Sequence, residues 1–319
     1  MIIVISILLV VTCLYKITSF LKHQQKKAKA YAKKWYSIGN YFSDYFFVLA
    51  SSIINKQNFY FKVVKELNEY IPSNINFIDD KKYSKYIEVT YNSLNIINFD
   101  YRQYSKYMWF IESNNHIIVW NIMKPIIIKI YEDMFTKMGL NKIVEHPVIH
   151  FRCADVPFNR HNQYHFVRYS FYKKALDIIH KKLLSKKKKD RKKKVILLSC
   201  NSHEATYKEK EACIIYTKSL IEYLTSIGYE VDVQCNSLIE DFAKLFYALA
   251  VVSSVSSFSF MSGFFSKGIF ISSEHNDEKN IKETCTICDE WMLKGYQVKH
   301  KFIDDYYNTS AVIETLSKN

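Results

Sequence analysis

Two short stretches carry residue types that do chemistry. The first is His150-Phe151-Arg152-Cys153-Ala154-Asp155-Val156-Pro157-Phe158. In a strand ending here, His150 and Arg152 share one face, because strand side chains repeat with a period of two. Arg152 offers a planar fork suited to two-point contact with a phosphate. Asp155, just beyond, is placed to orient that guanidinium, to bind a hydroxyl or to accept a proton. A buried Arg–Asp pair at a strand end would use the same residues without chemistry. The second stretch is Ser253-Ser254-Val255-Ser256-Ser257-Phe258-Ser259-Phe260. Hydroxyls and free backbone N–H groups at a helix start form an anion site, and plain N-capping by Ser256 or Ser257 is the other use of such a run.

The elements that must hold these stretches alternate. Residues 147–152 read as a strand and 169–184 as a helix with Phe171, Tyr172, Leu176, Ile179 and Leu183 on one face. Val195 to Ser199 is a short strand, apolar up to its last residue, of the kind buried on both faces. A long helix over 208–227 turns Ile214, Ile215, Leu220, Tyr223 and Leu224 inward, and Gly228 caps its end. Residues 230–234 alternate as a strand. Ser237 opens a helix with Asp241 in its first turn and an apolar face of Ile239, Phe242, Leu245, Phe246 and Leu249. A strand at 250–253, a helix at 258–266 and a strand at 269–272 complete the series. Strands alternating with helices imply parallel βαβ units. Ligands of such sheets sit beyond the carboxyl ends of the strands, where both chemical stretches fall. The first half is aromatic-rich, with helices expected at about 59–70 and 122–138, and the boundary between halves is expected near 139–146.

Composition removes several functions. The chain has 319 residues, 49% apolar and 16% aromatic, so it builds a sizeable core. Only 6 Gly are present, with no GxGxxG and no GxxxxGK[ST], which excludes those two phosphate-binding fingerprints. The net charge is +14, of which the run Lys181 to Lys194 carries +9. That block reads as a solvated connection, or as a contact to phosphates or an anionic membrane. It lacks the interleaved aromatics of a nucleic-acid surface, so nucleic acid is not an expected partner. Residues 2–14 are continuously apolar apart from Ser6 and Thr12, and a helix over 1–21 would rise roughly 30 Å, the thickness of a hydrocarbon core. Residues 1–22 are therefore expected as an uncleaved anchor. Six lysines follow it (Lys22, Lys26, Lys27, Lys29, Lys33 and Lys34), which by the positive-inside rule favours a cytosolic body. The seven cysteines include Cys13 in the anchor and a lone Cys285-x-x-Cys288. Cys153, Cys200, Cys213 and Cys235 read as small buried hydrophobes, in keeping with a reducing compartment. Asn308-Thr309-Ser310 is a single glycosylation sequon.

Taken together, His150, Arg152 and Asp155 in an H-x-R-x-x-D arrangement, and the late Ser256-Ser257-Phe258-Ser259 turn, resemble the donor-binding motifs of the fucosyltransferase-like glycosyltransferases. That superfamily includes the α-1,2-, α-1,6- and protein O-fucosyltransferases. The apolar strand followed by Cys200-Asn201-Ser202 sits where that family has a strand and a polar turn. Gln103, Lys106 and Tyr107 resemble a segment preceding the motifs in the α-1,2 group. The likeness spans about 147–272. The sequence departs from the family at Cys153-Ala154, where Arg-Gly is common, and at Phe260-Met261, where a Trp pair often follows.

The resemblance implies an α/β, GT-B-like architecture behind a transmembrane helix. A stalk and helical acceptor-side subdomain would occupy 23–145, and a Rossmann-like nucleotide-sugar subdomain 146–319. It implies a membrane-anchored, inverting, metal-independent enzyme. Fucose would pass from GDP-fucose, as donor substrate, to a glycan or glycoprotein acceptor in Golgi, ER or viral host membranes. A non-catalytic, membrane-tethered nucleotide- or glycan-binding protein of the same fold is the alternative. With no Asp-x-Asp motif to hold a divalent ion, the leaving diphosphate would be stabilised by Arg152, backbone amides and hydroxyls. Ser256, Ser257 and Ser259 would add hydrogen bonds, Phe258 would line the base or sugar pocket, and Asn201 would contribute from its turn. Asp155, or second His150, would serve as base. Asp241 would contact the nucleotide through its turn, or only stabilise the first turn of its helix.

Overall fold

The computed structural model describes residues 38–77, 80–97, 114–153, 155–158, 160, 165–184, 193–200, 206–254, 256–273 and 290–318. The anchor expected at 1–22, Gln103, Lys106, Tyr107, Asn201, Cys285, Cys288 and most of the Lys181–Lys194 run lie outside these residues. Among the described residues no helix is long and apolar enough to cross a membrane. The described chain falls into two compact units, residues 38–97 with 119–137, and residues 114–118 with 138–318.

The first unit is built on α1 (Ile38–Ile54), nearly all of whose residues are buried. A helix apolar all round must be enclosed, and its buried Ser51 and Ser52 hydroxyls bond back to the carbonyls of Phe47 and Val48, both at 2.9 Å. Then follow the short antiparallel strands β1 (Phe59–Tyr60) and β2 (Asn74–Ile75), α2 (Ser84–Ile96) and α3 (Asn114–Lys137). Tyr131 of α3 packs edge-on against Phe42 and Phe46, with ring centroids 5.0 and 5.3 Å apart. The helix expected at 59–70 is absent. Phe59, Tyr60 and Phe61 are 0%, 60% and 0% exposed, a period of two that belongs to extended chain, and only the single turn Lys65–Leu67 is helical. The helix expected at 122–138 is present within α3.

The second unit is a six-stranded parallel sheet with helices on both faces. Its strands are β3 (Val148–His150), β5 (Lys193–Leu198), β6 (Tyr229–Gln234), β7 (Ala250–Ser253), β8 (Ile269–Ser273) and β9 (Met292–Leu293), arranged β6-β5-β3-β7-β8-β9. Between β3 and β5 lie α4 (Asp155–Phe158), β4 (Phe166–Val167) and α5 (Tyr169–Leu184). The crossovers beyond are α6 (Tyr207–Ser226), α7 (Leu238–Tyr247) and the short α8 (Ser257–Ser259), which continues as a π-helical turn over Phe260–Phe264. The chain ends with β10 (Gln297–Val298), antiparallel to β4, and α9 (Thr309–Ser317).

Each element follows from its sequence. Val195, Ile196, Leu197 and Leu198 are all buried because helices cover both faces of the sheet. Capping boxes start α6, from Thr206 and Glu209, and α7, from Ser237 and Glu240. Gly228, at φ +93°, ends α6 in the left-handed region that glycine enters without strain. On one face Ile149, Leu197, Val252 and Ile271 join the apolar sides of α5, α6 and α9 in a single core. Ile214 and Ile215, expected to face inward, are 56% and 43% exposed. The buried stripe of α6 runs instead through Cys213, Tyr216, Leu220 and Leu224. Leu249, expected on the apolar face of α7, lies past its end and is half-exposed. On the other face the π-helical turn comes so close that a Cβ on Gly263 would sit 2.8 Å from Val251.

Candidate functional site

The strand order defines where this site falls. In chain order the six sheet strands run third, second, first, fourth, fifth, sixth across the sheet. Connections therefore depart in opposite directions from β3 and β7, leaving a crevice beyond their carboxyl ends, the place where doubly wound sheets bind ligands. These are the two strands that carry the two chemical stretches. They pair in register, His150 opposite Ser253.

Beyond the pair the loops are stitched together. The Ser254 hydroxyl donates to the His150 carbonyl at 3.2 Å and accepts from the Arg152 backbone N–H at 3.4 Å. The Arg152 Nη1 donates to the Ser256 hydroxyl at 3.4 Å. Ser256 also N-caps α8, accepting from the Phe258 N–H at 3.3 Å. Phe258 lies 5.3 Å from the His150 ring and edge-on to Phe242 at 5.3 Å. Arg152, His150, Ser256 and Phe258 thus converge within one crevice, with Arg152 and Phe258 half-buried.

Other expected site residues have different settings. Ser259 is 0% exposed, and its hydroxyl shares a 2.6 Å hydrogen bond with Ser253 inside the turn. It braces the loop rather than facing a ligand. Ser257 is the first residue of α8 and is buried. With only α8 and one π turn behind it, the helix start supplies little macrodipole, so among the described residues of the site Arg152 is the principal positive group. Asp241 is buried and accepts from the Asn236 backbone N–H at 3.1 Å and the Asn236 side-chain amide at 2.8 Å. Its carboxylate also lies 3.8 Å from the Lys244 ammonium. These contacts brace the β6–α7 turn. Asp155 opens α4, and its side chain, like all of Asn201, lies outside what is described.

Two features of the site were not foreseen. Ser254 is the bridge between the loops, and its only trace in the sequence is the length of the hydroxyl run. The second feature is covalent. Cys153, next to Arg152, forms a disulfide with Cys213 of α6, and Cys200 forms another with Cys235. The reading of these four as reduced, merely apolar residues is corrected. Each disulfide ties a residue just beyond a strand of the sheet's carboxyl edge to a distant part of the chain. The available signal was position, since Cys153, Cys200 and Cys235 each lie within three residues of a strand end. Among the described residues no group of three or more His, Cys, Asp or Glu could hold a metal ion.

The fold and site define a class, that of parallel α/β proteins in which an arginine and a serine turn meet at the sheet's switch point. Compared with family models, curated proteins and solved structures, the chain matched none.

Proposed function

We propose that the chain is a membrane-anchored glycosyltransferase that moves fucose from GDP-fucose to a glycan or glycoprotein acceptor with inversion. One observation carries the reading: Arg152 and the Ser256 turn meet at the switch point, a setting suited to a leaving diphosphate. Arg152 would grip the diphosphate oxygens, with the Ser256 hydroxyl and the N–H groups of the turn adding hydrogen bonds. Phe258 and His150 offer flat aromatic faces for a base or sugar. The acceptor hydroxyl attacks the anomeric carbon, the bond from that carbon to the diphosphate oxygen breaks, and the hydroxyl proton passes to a base, for which Asp155 leads and His150 follows. A GT-B arrangement and an anchor at 1–22 belong to the same proposal.

The test is a panel of nucleotide sugars with the full chain in detergent, read by thermal shift and by release of free nucleotide in the presence of acceptor glycans. GDP-fucose is expected to raise the melting point, since a ligand bound only by the folded state stabilises it. Transfer is expected to survive EDTA. A strict need for Mg²⁺ or Mn²⁺ would contradict the mechanism. Binding of GDP without turnover on any acceptor would favour the non-catalytic tethered binder.

A further inference from the structure

We infer that the body of this chain folds in an oxidising, lumenal compartment and that Asn308 is N-glycosylated there. The inference uses none of the crevice residues and rests on the proposed reading only for the membrane anchor at 1–22. All four cysteines among the described residues are paired, Cys153 with Cys213 and Cys200 with Cys235, closing loops of 60 and 35 residues. Disulfides of this structural kind persist where thiols are not held reduced. Their formation passes two protons and two electrons per bond to the disulfide-exchange oxidants of such a compartment. The lysines after residue 21 argue for the opposite orientation. That rule describes a bias during insertion, whereas the paired cysteines report where the folded body resides.

On the lumenal side the sequon Asn308-Thr309-Ser310 becomes readable. Asn308 and Ser310 are both exposed. Asn308 is the N-cap of α9, where its side-chain oxygen accepts from the Ala311 N–H at 3.3 Å. Its amide nitrogen makes no hydrogen bond among the described residues. Helix α9 is anchored from its far side by Val312 and Leu316, both buried, so a glycan on Asn308 stands clear of the core. In the transfer, the Asn308 side-chain nitrogen bonds to the anomeric carbon of a lipid-linked oligosaccharide. The bond from that carbon to the diphosphate breaks, the polyprenyl diphosphate leaves, and the amide proton passes to the transferring enzyme.

The test expresses the full chain in eukaryotic cells and follows gel mobility with and without peptide-N-glycosidase. A second arm alkylates the protein before reduction and maps Cys153, Cys200, Cys213 and Cys235 by mass. The wild type is expected to lose one glycan on digestion, with all four cysteines unlabelled. Ser310→Ala, which leaves the Asn308 cap intact, is expected to remove the shift. Ile143→Thr completes a sequon at Asn141 in an exposed loop, where Ile143 is 71% exposed, and is expected to add a second glycan. Labelled cysteines with no glycan on either protein would place the body in a reducing compartment and overturn the inference. A glycan on Asn141 with none on Asn308 would overturn the assignment of Asn308.

Discussion

Replacing Arg152 tests how the crevice would hold an anion. A guanidinium that grips a diphosphate makes two charge-assisted hydrogen bonds, each worth about 1.5–3 kcal/mol. Arg152 is half-buried, so solvent only partly screens that contact. Arg152→Ala is therefore expected to weaken GDP binding by about 3 kcal/mol, close to a hundredfold in Kd. Arg152→Lys keeps the charge but loses the fork, and is expected to fall between. The fold should tolerate both changes, because the backbone N–H of residue 152 keeps its bond to the Ser254 hydroxyl. The 3.4 Å contact to Ser256 is lost with the side chain. Calorimetric titration of GDP into wild type and variants, with melting curves as a control, reads both effects. Wild-type affinity in a folded Arg152→Ala protein would refute the reasoning.

Three further outcomes follow from the packing and the charges. Gly263→Ala places a Cβ 2.8 Å from Val251 and 3.0 Å from the Phe270 ring. It is expected to cost about 1–3 kcal/mol in urea unfolding, and an unchanged midpoint would contradict so close an approach of the π turn to the sheet. Cys200→Ser with Cys235→Ser opens a loop of 35 residues and is expected to cost roughly 2–4 kcal/mol, read as a lower melting point. His180 is held below its ordinary pKa first by burial and then by the Lys193 charge. The unfolded chain therefore takes up that proton more readily than the folded one. The stability it contributes is present above about pH 6.5 and lost as pH falls through the lower folded value. The urea midpoint should drop on acidification, and His180→Phe should flatten that drop.

Much of the second unit was legible because its elements are short and sharply punctuated. The helix at 169–184 and the strand at 250–253 fall where periodicity puts them, and Ser237 and Gly228 mark helix ends by mechanisms local to a few residues. The two chemical loops were legible for the same reason. The direct pairing of their strands was not, because strand order is a long-range property: His150 and Ser253 are opposite one another across a hundred residues of intervening chain. Disulfide pairing was hidden likewise, since a cysteine beside a strand looks like any small apolar residue until its partner is placed. Ile214 and Ile215 misled because α6 is covered on one side only. Phe59 to Tyr70 misled because Tyr60, Val63, Val64 and Leu67 repeat at a helical spacing. Ser259 shows the limit of reading residue type alone, as its hydroxyl serves the turn that presents its neighbours.

The most direct test of the central claim is a crystal structure of the protein with GDP. Diphosphate oxygens are expected within about 2.7–2.9 Å of the Arg152 guanidinium, over the Ser256 turn, beyond the ends of β3 and β7. Nucleotide bound elsewhere, with Arg152 turned from it, would contradict the account.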